Sequence, residues 1–182
     1  MRLPKLNFKL KINWFLVLYF AIISLLRFKL DWGLPLFWLG GLIGSYLLEL
    51  DHLVYTLWIN PHELTSMRVK KLLEERRLQE GMLMLIETRQ ERKRLSFHSV
   101  IFQAVLPILA FFVLTSTGSM MGSGLVMALF LRTLYEQLRD FQKRGDIKNW
   151  FWQVQAEVSH RIQVLYFTGL VALFILLSLL LI

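Results

Sequence analysis

Apolar residues are concentrated in five runs along the chain, and segments rich in charge separate most of them. The runs lie at about residues 12–26, 32–52, 98–115, 122–138 and 163–182. Each is close to or below the roughly 20 residues that a membrane-spanning helix needs. No small-residue cleavage site follows the first run, so we expect it to be retained as a span. The pattern predicts an all-α integral membrane protein, a bundle of about five transmembrane helices in a single domain over residues 1–182.

The composition supports this class and limits the chemistry. Hydrophobic residues make up 55% of the chain and the mean hydropathy is +0.50, which exceeds the values of ordinary soluble domains. The chain contains no cysteine, and this excludes disulfides and thiolate metal ligands. Any metal would therefore be held by histidine, aspartate and glutamate, a donor set that favours zinc, manganese, magnesium or iron.

Positive charge is distributed unevenly among the connecting segments. The formal net charge is +8, and basic residues collect before the first run, between the second and third, and after the fourth. The connection TSTGSMMGSG between the third and fourth runs carries no charge. Cytoplasmic loops of membrane proteins collect Lys and Arg. We therefore expect a multi-pass protein of a bacterial inner (cytoplasmic) membrane, embedded in the lipid bilayer with its N-terminus in the cytoplasm.

Residues 60–97 form a long charged insertion between the second and third runs. They lack proline after Pro61 and carry an apolar stripe at helical spacing. The pattern predicts a cytoplasmic helical hairpin broken near Gly81, which either docks a cytoplasmic protein partner or caps its own membrane domain. Acidic residues alternate with the basic ones there, which is typical of a solvated helical surface. We therefore predict no specific nucleic-acid binding.

Two further patterns concern packing at and within the membrane. The segment DIKNWFWQVQAEVSHRIQ (146–163) predicts an interfacial stretch with Trp150, Phe151 and Trp152 at the level of the headgroups. Small residues four positions apart let membrane helices approach closely, so they predict tight packing of the spans. The pairs are Gly40 with Gly44, Gly41 with Ser45, and Gly118 with Gly122.

Ionisable residues stand at the ends of three predicted spans, and the predicted topology brings them to one level of the membrane. They are Glu49, Asp51 and His52 in ELDH, His98 in SFHS, and Arg132 with Glu136 in LRTLYEQ. Ionisable groups at membrane depth are costly, so we take this group as a candidate metal or catalytic site. The alternatives are a charged collar of helix ends with an ion pair four residues apart, and a proton or ion path.

The helical register restricts how the ELDH residues can act together. On a regular helix Glu49 and His52 share a face, whereas Asp51 points away from both. All three can bind one ion only if the helix breaks. Otherwise one of them supports a ligand, as an acidic residue does when it holds the second nitrogen of a histidine. His62 and His160 lie near the same level, and we expect both to be surface residues.

Three motifs, in this order, resemble those of the membrane-bound metal-dependent hydrolases, a family that includes LexA-binding inner-membrane hydrolases. GSYLLELDHL (44–53) resembles the family's G-x-x-x-P-D-x-D-H element, and RLSFHSV (94–100) resembles its H-R-x-x-T-H-S element. FLRTLYEQLRD (130–140) is similar to its late H-x-x-x-D. Asp51, His52 and His98 match directly, and Glu49 and Glu136 stand where the family has aspartates. The chain departs from the pattern at Leu48, Lys93, Phe97 and Arg132, and no histidine precedes His52.

The resemblance implies a membrane-embedded metal-dependent hydrolase that acts at the cytoplasmic interface on a phosphoester or a lipid headgroup. Its catalytic residues would be Asp51, His52 and His98. One or two divalent ions, zinc or manganese, would be held by Glu49, Asp51, His52, His98 and Glu136. Arg132 stands in place of the late histidine, which leaves open two ions, one ion, or an inactive relative in which Arg132 supplies a fixed positive charge instead.

Two other functions are alternatives to the hydrolase. The first is a non-catalytic membrane scaffold that docks a cytoplasmic partner through the 60–97 hairpin. The second is a small transporter or channel, which is disfavoured because no charged residue stands at the middle of a predicted span. The sequence is compatible with a homo-oligomer in each case.

Overall fold

Helices make up all the regular structure in the part of the chain that the structure describes. The structure is a computed structural model that describes residues 6–27, 32–88, 97–154 and 158–182, without the side chains at 6–12, 49, 52, 82, 86 and 87. Its α-helices are α1 (Leu6–Arg27), α2 (Gly33–Val54), α3 (Leu64–Glu74), α4 (Leu78–Glu87), α5 (Val100–Phe112), α6 (Met120–Arg144) and α7 (His160–Leu179). π-Helical turns continue α2 (Tyr55–Ile59) and α5 (Val113–Thr117), and a 3-10 turn follows α6 (Lys148–Phe151). The predicted all-α class is confirmed for these residues.

Each of the five apolar runs coincides with a helix over most of its length. Val100–Thr117 and His160–Leu179 are long and apolar enough to cross a membrane, with mean hydropathies of 2.1 and 2.3. Only 22% of each of these windows is buried inside the protein, so most of their apolar surface faces outward. Asn13–Arg27 and Gly33–Leu48 form shorter apolar helices. Two helices of the described chain therefore have the length and composition of membrane spans.

The closest packing in the bundle joins α2 to α6, and it depends on glycine. A Cβ atom on Gly40 or Gly44 would overlap the backbone carbonyl groups of Met121 and Leu125 in α6. Gly124 of α6 lies equally close to the backbone of α2. Small residues permit such backbone contact between membrane helices. The tight packing predicted from Gly40 and Gly44 is confirmed.

The pair Gly118 and Gly122 has the same spacing but a different role. Gly118 has φ +61° and ends the π-helical turn before α6, and a Cβ there would meet nothing within 4 Å. A positive φ is readily adopted by glycine and rarely by other residues. Gly118 therefore serves a turn, whereas a Cβ on Gly122 would lie 3.1 Å from the Val113 side chain after α5, so only Gly122 of this pair lies at a close contact between two segments.

The direction of the helices places four helix ends at one end of the bundle. The amide N–H of Phe97, just before α5, donates to Asp51 near the end of α2. The amide N–H of Ile147, just after α6, donates to Gln163 near the start of α7. We call the region where α2 and α6 end and α5 and α7 begin the polar end.

The predicted 60–97 hairpin is present as α3 and α4, but its turn lies elsewhere than predicted. The chain reverses at residues 75–77, where Arg76 has φ +57°, whereas Gly81 lies inside α4. Gly81 is buried, and a Cβ there would lie 3.4 Å from the Leu73 side chain of α3. The glycine lets the two helices approach and does not break one. Residues 89–96 of the predicted hairpin lie outside the described residues.

Replacing Gly44 with alanine should force α2 away from α6, because the overlapping atoms of Leu125 are backbone and cannot turn aside. We expect the free energy of unfolding to fall by about 1–3 kcal/mol. Gly169→Ala on α7 is the matched control, since a Cβ there meets nothing within 4 Å. Thermal unfolding in detergent, followed by size-exclusion chromatography, compares the variants. Equal melting temperatures would contradict the close α2–α6 contact.

Candidate functional site

Three side chains from three helical segments meet at the polar end, and His98 is the middle one. Its Nε2 lies 2.6 Å from Oε2 of Glu136 on α6, and its Nδ1 lies 3.4 Å from Oδ2 of Asp51 on α2. The carboxylates are 38 and 47 residues from His98 in sequence. All three side chains are largely withdrawn from solvent, with exposed fractions of 15% for His98, 2% for Asp51 and 5% for Glu136. The structure thus brings together three of the predicted site residues.

The start of α5 fixes the position of His98. Ser99 is the N-cap of this helix, and its hydroxyl oxygen accepts a hydrogen bond from the Phe102 amide at 3.2 Å. The Phe97 amide, on the other side of His98, donates to Asp51 Oδ2 at 2.8 Å. Capping by serine is a common way to satisfy the first amides of a helix. The sequence SFHS therefore holds the histidine between a cap and a carboxylate.

Arg132 adds a buried positive charge to the group formed by Asp51, His98 and Glu136. It lies one turn before Glu136 on α6, and its Nε is 3.6 Å from Glu136 Oε1. Its guanidinium also donates to the backbone carbonyl of Ser45 on α2. The arginine is only 3% exposed. Buried charges are tolerated when they are paired, and here one guanidinium and one imidazole face two carboxylates. We call Asp51, His98, Arg132 and Glu136 the charge cluster.

Trp150 packs directly against the cluster, and sequence analysis did not predict this. Its ring centroid lies 5.2 Å from that of His98, and its indole N–H donates to Asp140 at 3.0 Å. Trp150 is 1% exposed and Phe151 is 9% exposed, so both are buried in the protein. The expectation that they lie among lipid headgroups is wrong, while Trp152 is 37% exposed. The signal in the sequence that could have indicated this burial is Asp140, one turn after Glu136, because its carboxylate can accept a hydrogen bond from a buried indole N–H.

A second group of polar residues joins three helices beside the charge cluster. Gln103 of α5 donates to Gln137 of α6 at 3.2 Å, and the Tyr166 hydroxyl of α7 donates to Gln103 at 3.3 Å and to the Val100 carbonyl at 3.2 Å. Both glutamines are fully buried. Their amides within apolar runs are a signal that could have been read from the sequence, since polar side chains in such helices usually bond across them.

The donor chemistry of the charge cluster fits a divalent ion, but the described donors make only part of a coordination shell. Imidazole nitrogen and carboxylate oxygen are ligands that zinc and manganese accept. The two carboxylates contact different nitrogens of His98, and no three described His, Asp or Glu side chains form a metal-holding group. Catalytic zinc usually takes three protein ligands. The others would come from Glu49 and His52, whose side chains lie outside the described residues.

The register argument about Asp51 agrees with the backbone. α2 is regular through Asp51 and ends at Val54, so the helix does not break at ELDH. Asp51 points into the bundle and contacts Nδ1 of His98, the position of an acid that orients a histidine ligand. The remaining histidines are exposed, His62 before α3 and His160 at the start of α7. The prediction that both are surface residues is confirmed.

No family model, curated protein or solved structure matches this chain. The resemblance to membrane-bound metal-dependent hydrolases therefore rests on the three sequence motifs alone.

Removing the charge of Glu136 should destabilise the bundle, because Arg132 would then be buried with less compensation. We expect Glu136→Gln to lower the free energy of unfolding by about 3–5 kcal/mol. Glu80→Gln is the matched control, since Glu80 pairs with Arg77 at 2.6 Å on the exposed hairpin. Exposed ion pairs contribute little, so that variant should melt like the wild type. Similar melting temperatures for both variants would show that the charge cluster does not stabilise the fold.

Proposed function

We propose that this protein is a membrane-embedded hydrolase with its active site at the charge cluster. One observation carries the proposal: His98 contacts the carboxylates of Asp51 on α2 and Glu136 on α6, and both carboxylates are buried while the histidine side chain is 15% exposed. Ionisable groups at membrane depth are costly and therefore point to a functional site. These three residues are among the five that the motif resemblance assigns to metal binding.

We further propose a five-span topology in which the polar end faces the cytoplasm. The two apolar helices cross fully, and α1, α2 and α6 cross beside them. The polar end then carries the basic residues after α6 and the α3–α4 hairpin, while the uncharged connection before α6 lies at the other end. This distribution agrees with the excess of Lys and Arg in cytoplasmic segments. The N-terminus, which precedes a helix antiparallel to α2, lies on the same cytoplasmic side.

Three residues of the charge cluster, Asp51, His98 and Glu136, each have a distinct task in this proposal. Asp51 holds Nδ1 of His98 and thereby sets the ring orientation and tautomer. His98 Nε2 and Glu136 Oε2, 2.6 Å apart, are a nitrogen and an oxygen close enough to be ligands of one ion in place of their hydrogen bond. A divalent ion, held by His98 and Glu136 with Glu49 and His52, would activate a water molecule and polarise the scissile bond. Trp150 covers one face of His98 and keeps bulk water from it.

A phosphoester is the substrate class that best suits this location. The cytoplasmic surface at the polar end carries excess positive charge, from Arg139, Lys143, Arg144 and Lys148 after the cluster. Such a surface attracts anionic lipids and soluble phosphates. A lipid headgroup reaches the polar end by diffusion in the membrane, which favours a phosphoester of lipid origin.

A scaffold function is the second candidate, and the hairpin supports it. Four large apolar side chains of α3 and α4 are exposed by 56–75%: Leu64, Met67, Leu78 and Leu83. Contiguous exposed apolar residues often mark a surface that binds another protein or a membrane. In this case the charge cluster would only hold the helix ends together.

The metal content and activity of His98→Gln test the hydrolase proposal. Detergent-purified wild type should contain about one or two equivalents of zinc or manganese by elemental mass spectrometry. His98→Gln should lower metal affinity and phosphoester hydrolysis by about 10- to 100-fold or more. His62→Gln, an exposed histidine on the hairpin side, is the matched control and should change neither.

Either of two results would argue against the hydrolase. The first is folded, monodisperse wild type that binds no metal after zinc and manganese are added. The second is equal loss of activity in His98→Gln and His62→Gln. A metal-free protein that captures a defined partner through the exposed residues of α3 and α4 would establish the scaffold instead.

A further inference from the structure

A cavity of about 700 Å³ opens between the end of α6 and the start of α7, away from the charge cluster. This volume lies within the range of small-molecule sites, roughly 300–1,000 Å³. Polar side chains line it on several sides: Arg144, Asp146, Lys148, Ser159, His160 and Gln163. The neighbouring residues 155–157 lie outside the described residues. None of the sequence motifs assigns a role to this cavity.

The walls of the cavity are fixed by backbone geometry and by one buried glutamine. Gly145 ends α6 with φ +74°, a conformation that glycine adopts readily, and its amide donates to the Phe141 carbonyl at 2.9 Å. Gln163 is fully buried, accepts from the Ile147 amide at 2.9 Å, and donates to the Val158 carbonyl at 3.0 Å. These hydrogen bonds join the end of α6 to the start of α7 on the two sides of the cavity.

The cavity carries an excess of positive charge. Arg144 and Lys148 face a single described acid, Asp146, whose carboxylate already accepts the Lys148 amide at 3.4 Å. One turn before the cavity on α6, the charge of Arg139 lowers the pKa of Lys143. α7 begins at the cavity wall with Ser159 as its N-cap, and the N-terminus of a long helix favours anions.

We propose that this cavity binds a phosphate group through Arg144 and Lys148, with the Ser159 hydroxyl and the first amides of α7 as further donors. Arginine and lysine are the residues that proteins most often use to bind phosphate. The proposal goes beyond the hydrolase function, because the cavity lies outside the charge cluster and needs no reaction. The phosphate belongs either to the headgroup of an anionic lipid at the membrane surface or to a soluble compound.

The test compares two double variants that remove the same charges from different places. Arg144→Gln with Lys148→Gln removes both cations of the cavity, and Arg68→Gln with Lys70→Gln removes an arginine and a lysine from the exposed face of α3. Phosphatidylglycerol and phosphatidylcholine of equal chain length are titrated into delipidated protein and followed by native mass spectrometry. Inorganic phosphate is titrated into the protein in lipid-free detergent micelles, and binding is measured by calorimetry. All four replaced residues are exposed, so both variants should fold.

We expect the cavity variant to bind phosphatidylglycerol about 10- to 30-fold more weakly than the wild type, since each basic residue near a membrane contributes about a tenfold factor or less. The α3 variant should stay within about twofold, because its cations act only through the general surface potential. Arg144→Lys with Lys148→Arg keeps both charges and should retain binding. If the cavity variant loses binding of phosphatidylglycerol, the phosphate belongs to a lipid headgroup. If it loses binding of inorganic phosphate alone, the phosphate belongs to a soluble compound.

The proposal is overturned if the two double variants weaken binding equally, or if neither weakens it. Equal weakening would assign any attraction to the overall charge of the protein. Metal binding and phosphoester hydrolysis are measured on the same samples. Retained hydrolysis with lost phosphate binding in the cavity variant separates this cavity from the hydrolase proposal, whereas a wild type that binds phosphate in the cavity but shows no hydrolysis refutes the hydrolase alone.

Discussion

The need to compensate buried charge governs the polar end of this protein. Asp51, His98, Arg132 and Glu136 lie among helices whose other surfaces are apolar, where an unpaired charge costs several kcal/mol. Each of these groups finds its compensation on another helical segment or one turn away. The ends of α2 and α6 and the start of α5 therefore cannot move apart independently. The hydrogen bond from the Phe97 amide to Asp51 extends this constraint from side chains to the backbone.

The glycine contacts between α2 and α6 make that compensation geometrically attainable. Gly40 and Gly44 bring the backbone of α2 against α6, which allows the Arg132 guanidinium to reach the carbonyl of Ser45. A shift of one helical turn, about 5.4 Å, would carry Asp51 beyond the reach of His98. Close backbone packing and the charge cluster thus specify the same register, one through shape and the other through electrostatics. This agreement explains why Gly44 and Gly40 lie about two and three turns before Asp51 on the same helix.

The sequence predicted the helices and part of the cluster, and it failed where distant contacts decide the structure. Apolar periodicity is local, so the helices are found where the runs are. The convergence of Asp51, His98 and Glu136 followed from placing the ends of the runs at one level.

Burial of Trp150 was missed because its partners Asp140 and His98 lie outside its own segment. The turn at 75–77 was missed because Arg76 adopts a positive φ that favours glycine, while Gly81 is used for packing. Two equally spaced glycine pairs, at Gly40 and Gly118, likewise serve different purposes that spacing alone does not distinguish.

The residue types in the charge cluster suit the proposed catalytic site better than they suit a contact that only stabilises the bundle. Buried ion pairs can often be replaced by apolar side chains of similar volume with no loss of stability. Apolar contacts would therefore stabilise the bundle at least as well as these charges do. An acid on each nitrogen of one histidine gives that ring a fixed orientation and a proton acceptor, and stability requires neither. The cluster also lies at the end of the bundle that carries the basic cavity, where anionic groups from the membrane surface would accumulate. The charge cluster and the basic cavity lie at the same end of the bundle, which is the arrangement that the proposed hydrolase would use if its substrate came from the bilayer.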